Sequence, residues 1–322
     1  MRNQNPPSNW QRLVLSVATV ACLGTTIVGI LNMPAVRAQD AIDWQIRAGG
    51  RMAFDVVSVK PSKGAFVPSN FPLDPSEDYG VTNGRLTADG TLAEYIEFAY
   101  KVWGNEIQSH EFSRHAKWVD TDRYSIEARA ATGNPTKDQM RLMVQAMLAE
   151  RFRLTAHFET REVPVFELKL LKPGKPGPRL ISHADAPPCD EPDVSPIKEL
   201  PGFHFVCHTV SPYIDLGTTL VLGSRDMSMD VFAGELSEVL GGPLAFGRPI
   251  IDKTGLTGRF DFTLEWARQR RTPADSDSPL ASDPIGPTPL EALRDQLGLK
   301  LEPARASIPI LMIDKVERPS EN

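Results

Sequence analysis

The feature that most limits what this chain can fold into is that its two halves follow one plan. Leu148 and Leu293 stand 145 residues apart, and from there to Leu168 and Ile313 the halves run in step without a gap. Residues 140–148 space their apolar side chains as one face of a helix does. Residues 152–156 then read as the start of a strand and 163–168 as a second strand. Leu293, Leu297, Leu299, Leu301, Ile308, Ile310 and Ile313 occupy the same places in the second half. Upstream, after one change of length, residues 122–128 parallel 258–264. Residues 91–100 and 228–240 each read as a helix, and Phe54 to Val59 is the candidate leading strand of the first half. Alternation in Tyr124, Ile126, Ala128 and in Phe260, Phe262, Leu264 suits sheets with one covered and one wetter face. The expected fold class is therefore α+β: two tandem pseudo-symmetric repeats, each with about two helices packed on a small mixed or antiparallel sheet.

The first forty residues read as an export signal. Arg2 and Arg12 flank a start without acids, residues 13–31 are apolar or small, and Val36 and Ala38 fit the −3 and −1 positions of a signal-peptidase site. Cleavage between Ala38 and Gln39 is expected, which places the protein in the periplasm or outside the cell. The stretch is also long enough to span a bilayer if left uncleaved, and only then would the chain meet a membrane. A lipid-anchor site at Cys22 is disfavoured by Thr19 and by the apolar run that continues past it. The remaining chain divides into a first repeat at 39–171, a Pro/Gly-rich connection at 172–202, and a second repeat at 203–322 with a flexible Pro/Ser/Asp-rich insertion at 271–289. The net charge is −6, and the leader carries off three arginines and no acid. An acidic surface of interspersed charges argues against nucleic acid as a partner.

With Cys22 gone, Cys189 and Cys207 remain, and a pair in an oxidising compartment is expected to form a disulfide. His183, His204 and His208 lie near these cysteines, a composition that zinc or copper could use. The spacing matches no standard metal motif, so no metal and no cofactor is expected. No Gly-x-Ser-x-Gly elbow or His-Glu-x-x-His helix is present. Gly241-Gly242-Pro243 reads as the stop of a helix. The segment 248–260, with Gly255 and Gly258, reads as a short strand and a turn whose glycines supply permissive dihedrals. Its first-half counterpart, 118–124, is expected to turn in the same way.

Several stretches in order carry a family resemblance: residues 54–61, 118–124, 148–152, 248–262 and 313–319. On these the chain resembles a soil-associated family of acidobacterial exported proteins of unknown function, over essentially the whole mature chain. That family carries no established activity, so the resemblance implies no catalytic residue. Residues 227–313 are also similar to the short N-terminal domain of secretins and TonB-dependent receptors, which implies a partner-binding style of function without chemistry.

These readings lead to an exported binding or sensing module of the cell envelope, without catalytic residues, that takes an envelope protein or peptide. The rival is an envelope hydrolase whose site residues are dispersed along the chain, since such partners meet in space. Pro164 and Pro309 are equivalent by the offset and are expected at a strand start or an outward-facing edge. The edge they mark, guarded by Arg161, Glu162 and Glu167, is the expected docking edge.

Overall fold

The computed structural model describes residues 43–107, 117–131, 133–186, 189, 205–210, 214–244, 247–268 and 286–319. Residues 1–42, with Ala38 and Gln39, His204, and most of the 271–289 insertion lie outside them. The chain mixes helices with small sheets. Its elements run β1 (Val56–Pro61), β2 (Arg85–Thr91), α1 (Leu92–Tyr100), α2 (Trp118–Thr121), β3 (Arg123–Arg129), α3 (Lys137–Arg151) and β4 (Thr155–Leu170). There follow β5 (Leu180–Ser182), β6 (Ile214–Asp215), β7 (Thr219–Met227), α4 (Met229–Leu244), β8 (Ile250–Asp252), β9 (Phe260–Ala267), α5 (Pro289–Leu297) and β10 (Leu299–Lys315). The strands form three sheets in the orders β1-β3-β2, β10-β4-β8 and β5-β9-β7-β6. All pairs are antiparallel except β4 with β8.

Three helices start on the same local chemistry. Thr91, Thr136 and Thr288 each accept a hydrogen bond from the backbone N–H three residues on, and Glu94, Gln139 and Glu291 reach back to the threonine N–H. This reciprocal cap satisfies two of the donors that a helix start leaves unpaired. Pro289 opens α5 with its φ already set, and Gly298 ends it at φ 66.

Where sequence reading expects two strands, 152–156 and 163–168, there is one. β4 pairs with β10 from Thr155–Lys315 to Leu170–Leu299, and β10 likewise absorbs the two second-half strands. The reason lies in the phase of the prolines. Phe166 N donates to Pro249 O, and Leu168 O accepts from Lys253 N. Even-numbered residues of β4 in this stretch therefore turn their backbone groups toward β8, away from β10. Pro164 shares that phase, and it lies beyond the three residues that β8 covers. Pro303 and Pro309 pair with Phe166 and Thr160, so their nitrogens also face out of the ladder. Proline ends a strand only where its missing N–H is needed. None of the three is so placed.

The long ribbon ties two cores together. One core gathers Leu92, Tyr95, Phe98, Ile126, Met140, Met143, Leu148 and Phe152; the other gathers Phe232, Leu236, Phe260, Phe262, Leu264, Leu293 and Leu297. β4 starts beside the first, through Ala156 and Phe158, and ends in the second at Leu168 and Leu170. β10 runs the opposite way, from Leu299 in the second to Leu311 in the first. Each fully buried leucine or phenylalanine stabilises by about 1.5–3 kcal/mol, so the ribbon is held at both ends. Trp103 adds a further tie, since a side chain at Gly234 of α4 would stand 1.9 Å from its Nε1.

Four local expectations are corrected. Residues 118–121 form a one-turn helix, α2, where a turn is expected. α4 runs through Gly241, Gly242 and Pro243 to Leu244; the cost of a helical glycine, about 1 kcal/mol, biases an ending without imposing one. β2 and β7 are strands that the sequence pattern hides, because Ala88-Asp89-Gly90 and Gly223-Ser224-Arg225-Asp226 break any apolar alternation. The Pro/Gly-rich connection contributes β5, which pairs with β9. Gly255 and Gly258 do adopt positive φ, 70° and 98°.

Candidate functional site

Cys189 and Cys207 are bonded, with Cα atoms 5.9 Å apart. Cys207 also bridges Arg225 of β7, whose N–H donates to Val206 O and whose carbonyl accepts from His208 N. The register of β7 against β9 shifts between Ser224 and Met227, and there Asp226 takes φ 50. His208 also takes a left-handed φ, 66°. For non-glycine residues this backbone is strained.

A polar knot surrounds Asp226. Arg259 Nε donates to its Oδ1 at 2.5 Å and to its carbonyl at 2.9 Å. Asp226 N donates to Asp261 Oδ1 at 2.9 Å, the oxygen that also meets His183 Nδ1 at 2.7 Å. Arg259 Nη1 reaches across to Glu77 Oε2 at 2.7 Å. His183 and His208, named with the cysteines from sequence, are thus brought to one place.

A second group of charges is buried between α3, α4 and the loop before β2. Lys137 Nζ donates to Asp74 Oδ1 at 2.9 Å and lies 3.3 Å from Ser76 Oγ. Arg141, 1% exposed, donates to the carbonyls of Asp74 and Ser76 and pairs with Asp138. Its guanidinium lies over the Phe98 ring. Burial pulls Lys137 down to about 8 against the opposing pull of Asp74. Burial pushes Glu235 of α4 up to about 7, with Asp74 adding to the rise and the Thr209 hydroxyl opposing it. Sequence reading missed these groups. Their signal is that Lys137 and Arg141 continue the stripe of Val144 and Leu148 at helical spacing.

The third feature is a cleft of about 500 Å³ at the end of β1, lined by Pro61, Ser62, Lys63, Thr121, Asp122, Arg123, Tyr124, Arg318 and Pro319. Two of its three cations lie on aromatic rings: Arg123 over Phe66 at 5.2 Å and Arg318 over Trp118 at 5.3 Å. Such stacking holds a guanidinium without hiding its donors. Asp89 and Asp122 pair with the two arginines, and Lys63 is left as excess positive charge.

Beside the cleft runs the outer edge of β1. Ser62 N donates to Arg123 O at 2.8 Å, which sets the phase of the ladder: even-numbered residues of β1 face β3. The N–H and C=O of Val57 and Val59 therefore face outward, and among the described residues neither is given a partner. The opposite edge of this sheet is closed. Asn70 N donates to Thr87 O, and the Asn70 side chain bonds Thr87 N and Arg85 O. The edge of β10 expected to dock a partner is blunted by Pro303 and Pro309. Edge prolines give the carbonyls of an incoming strand no donor, whereas the edge of β1 presents the N–H groups of Val57 and Val59.

A scan of family models matches residues 93–316 to a family described as protein of unknown function (DUF3738). The chain belongs to that family. No curated protein and no solved structure matches it. The span matched to the family contains the knot around Asp226, Lys137, Arg141 and the Arg123 wall of the cleft. β1, Ser62, Lys63, the Asp74–Asp78 loop and Arg318 fall outside the matched span.

Two serines sit beside charged groups. Ser62 Oγ in the cleft donates to the buried Asp89 at 2.9 Å, but Arg123 binds both oxygens of that carboxylate. Ser76 touches Lys137, yet Ser76 is 0% exposed and its hydroxyl donates to Asp74, which also holds the lysine charged. What the cleft can do is bind an anion.

Proposed function

We propose that this protein is a non-catalytic binding module of the bacterial cell envelope, exported by its leader, whose ligand is an extended peptide segment bearing a carboxylate. The observation that carries the reading is the juxtaposition of the open edge of β1 with the cation-lined cleft at its end. A peptide strand laid along β1 would pair with Val57 and Val59, a mode of recognition that sheet edges support. Its carboxylate would then reach Lys63, Arg123 and Arg318. The disulfide is compatible with an oxidising compartment, and among the described residues no helix is long and apolar enough to cross a membrane.

The reading also takes the chain as a duplicated unit. Supporting it, strand, helix, strand, helix, long strand recur as β2-α1-β3-α3-β4 and β7-α4-β9-α5-β10, with α2 interposed before β3 in the first half and β8 before β9 in the second. Glu162 and Ser307, 145 positions apart, face each other near the middle of the β4–β10 ladder. Two equivalent strands paired about equivalent central residues are arranged as a pseudo-twofold unit.

The test is a titration of extended peptides, each made with a free C-terminal carboxylate and as the amide, followed by fluorescence anisotropy. Binding of the acid form that weakens at least about tenfold in Lys63→Ala/Arg318→Ala, a loss of about 1.4 kcal/mol, is the expected result. Binding by neither form, or binding indifferent to both the amide and the double variant, contradicts it.

A further inference from the structure

The disulfide does not stand alone. His183, Cys189 and Asp226 each bring one donor atom, and these atoms lie within 4.8 Å of one another. Cys207 is bonded to Cys189; its sulfur is not one of the atoms within 4.8 Å of one another, but reduction would free it next to them. One imidazole, two sulfurs and one carboxylate are a donor set that zinc takes in tetrahedral coordination.

The two ligands other than sulfur are already oriented from behind. His183 Nδ1 meets Asp261 Oδ1 at 2.7 Å, which leaves Nε2 as the ring nitrogen free for a metal. A histidine that gives its other ring N–H to a carboxylate is the usual support of a zinc ligand. Arg259 Nε engages Asp226 Oδ1 at 2.5 Å. Oδ2 lies 3.9 Å from Cys189 Sγ and 3.4 Å from His208 Nδ1, so a metal there would have to displace the His208 contact. Asp261 Oδ1 also accepts from Asp226 N, so one carboxylate fixes the backbone of one ligand and the ring of another.

The geometry points to a zinc site formed by His183, Cys189, Cys207 and Asp226 that the disulfide closes and reduction opens. While the sulfurs are bonded to each other they are poor donors, and His183 and Asp226 alone cannot hold the ion beside the Arg259 charge. A dithiol reductant passes two electrons to the disulfide: the S–S bond breaks, the cysteines become thiols, and the reductant closes to its own disulfide. Zinc then displaces one proton from each thiol. The His183, Cys189 and Asp226 donors must close from within 4.8 Å, and the two sulfurs must separate with Cys207 turning in, to reach the roughly 3.5 Å spacing of a tetrahedral site with Zn–N and Zn–S bonds near 2.0 and 2.3 Å. The site is independent of the β1 edge and would give the module two states, one tied by sulfur and one by metal.

The test uses the full chain carrying Cys22→Ser, so that only Cys189 and Cys207 supply thiols. It is reduced, freed of reductant without air, and titrated with cobalt(II), whose absorption reports thiolate ligation and tetrahedral geometry; zinc should then displace the cobalt. Expected are one cobalt per reduced chain with a thiolate charge-transfer band, none in the oxidised chain, loss of binding in His183→Ala, and a 10–100-fold weaker site in Asp261→Asn. Circular dichroism of each variant reports folding separately. A folded reduced chain without the band overturns the proposal. So does a band unchanged in both variants, or a reduced chain that unfolds and is not refolded by zinc.

Discussion

Arg259 Nη1, at the start of β9, donates to Glu77 Oε2 in the loop before β2 at 2.7 Å, while its Nε holds Asp226. One side chain thus fastens the strained β7 backbone and joins it to the other half of the molecule. The two arms differ in weight. Glu77 is close to half exposed, and solvent screens such a pair to about 0–1 kcal/mol. The bonds to Asp226 are less exposed and charge-assisted, a class worth roughly 1.5–3 kcal/mol. Arg259→Ala should therefore destabilise by about 1–3 kcal/mol in urea unfolding and Glu77→Ala by under about 1 kcal/mol. Equal effects would show that the link between the halves, and not the hold on Asp226, is the main term.

Stability should depend on pH through two buried groups. Glu235 is protonated in both states below about 4.5; between there and about 7 the unfolded chain ionises first, so stability falls as pH rises. The full loss is at most roughly 3 kcal/mol. Lys137, held down to about 8, is charged in both states below that value; from 8 to 10.5 the folded state releases its proton first and stability rises again. Urea midpoints across pH 4–10 should trace this dip. Glu235→Gln should flatten the fall between 4.5 and 7, and an unchanged slope would rule Glu235 out as its source.

The prolines of β10 should act as guards. Pro303→Thr/Pro309→Thr restores two outward donors on an edge where Arg305 and Ser307 are already exposed, while leaving the β4 ladder intact. Sedimentation should show concentration-dependent association in the variant and none in the parent. A monomeric variant would mean that the flanking charges suffice.

Much of the frame is readable from residue spacing. The helices at Leu92, Lys137, Met229 and Pro289 follow from apolar periodicity, and all but the one at Met229 also from a Thr-x-x-Glu or Thr-x-x-Gln start. β3 and β9 follow from strict alternation. The long ribbon is not readable, because whether Pro164 breaks a strand depends on which way its nitrogen points, and pairing decides that. β2 is hidden for another reason: Asp89 and Gly90 serve Arg123 and the start of α1, so local chemistry overrides strand pattern. Of the site residues, the cysteine pair is legible from its count and compartment. Its partners Asp226, Arg259 and Asp261 are not, since a strand irregularity brings them together. Lys63, Arg123 and Arg318 come from three distant stretches and carry no common signal.

The central claim, that β1 offers the docking edge, is tested most directly by backbone hydrogen exchange at single-residue resolution. A carboxylate-bearing peptide that binds should slow exchange of the Val57 and Val59 amides, which face outward, and Val57→Pro should abolish binding while leaving the β1–β3 ladder protected. Protection that appears along Arg305 and Ser307 of β10 instead, or binding that survives Val57→Pro, would contradict the account.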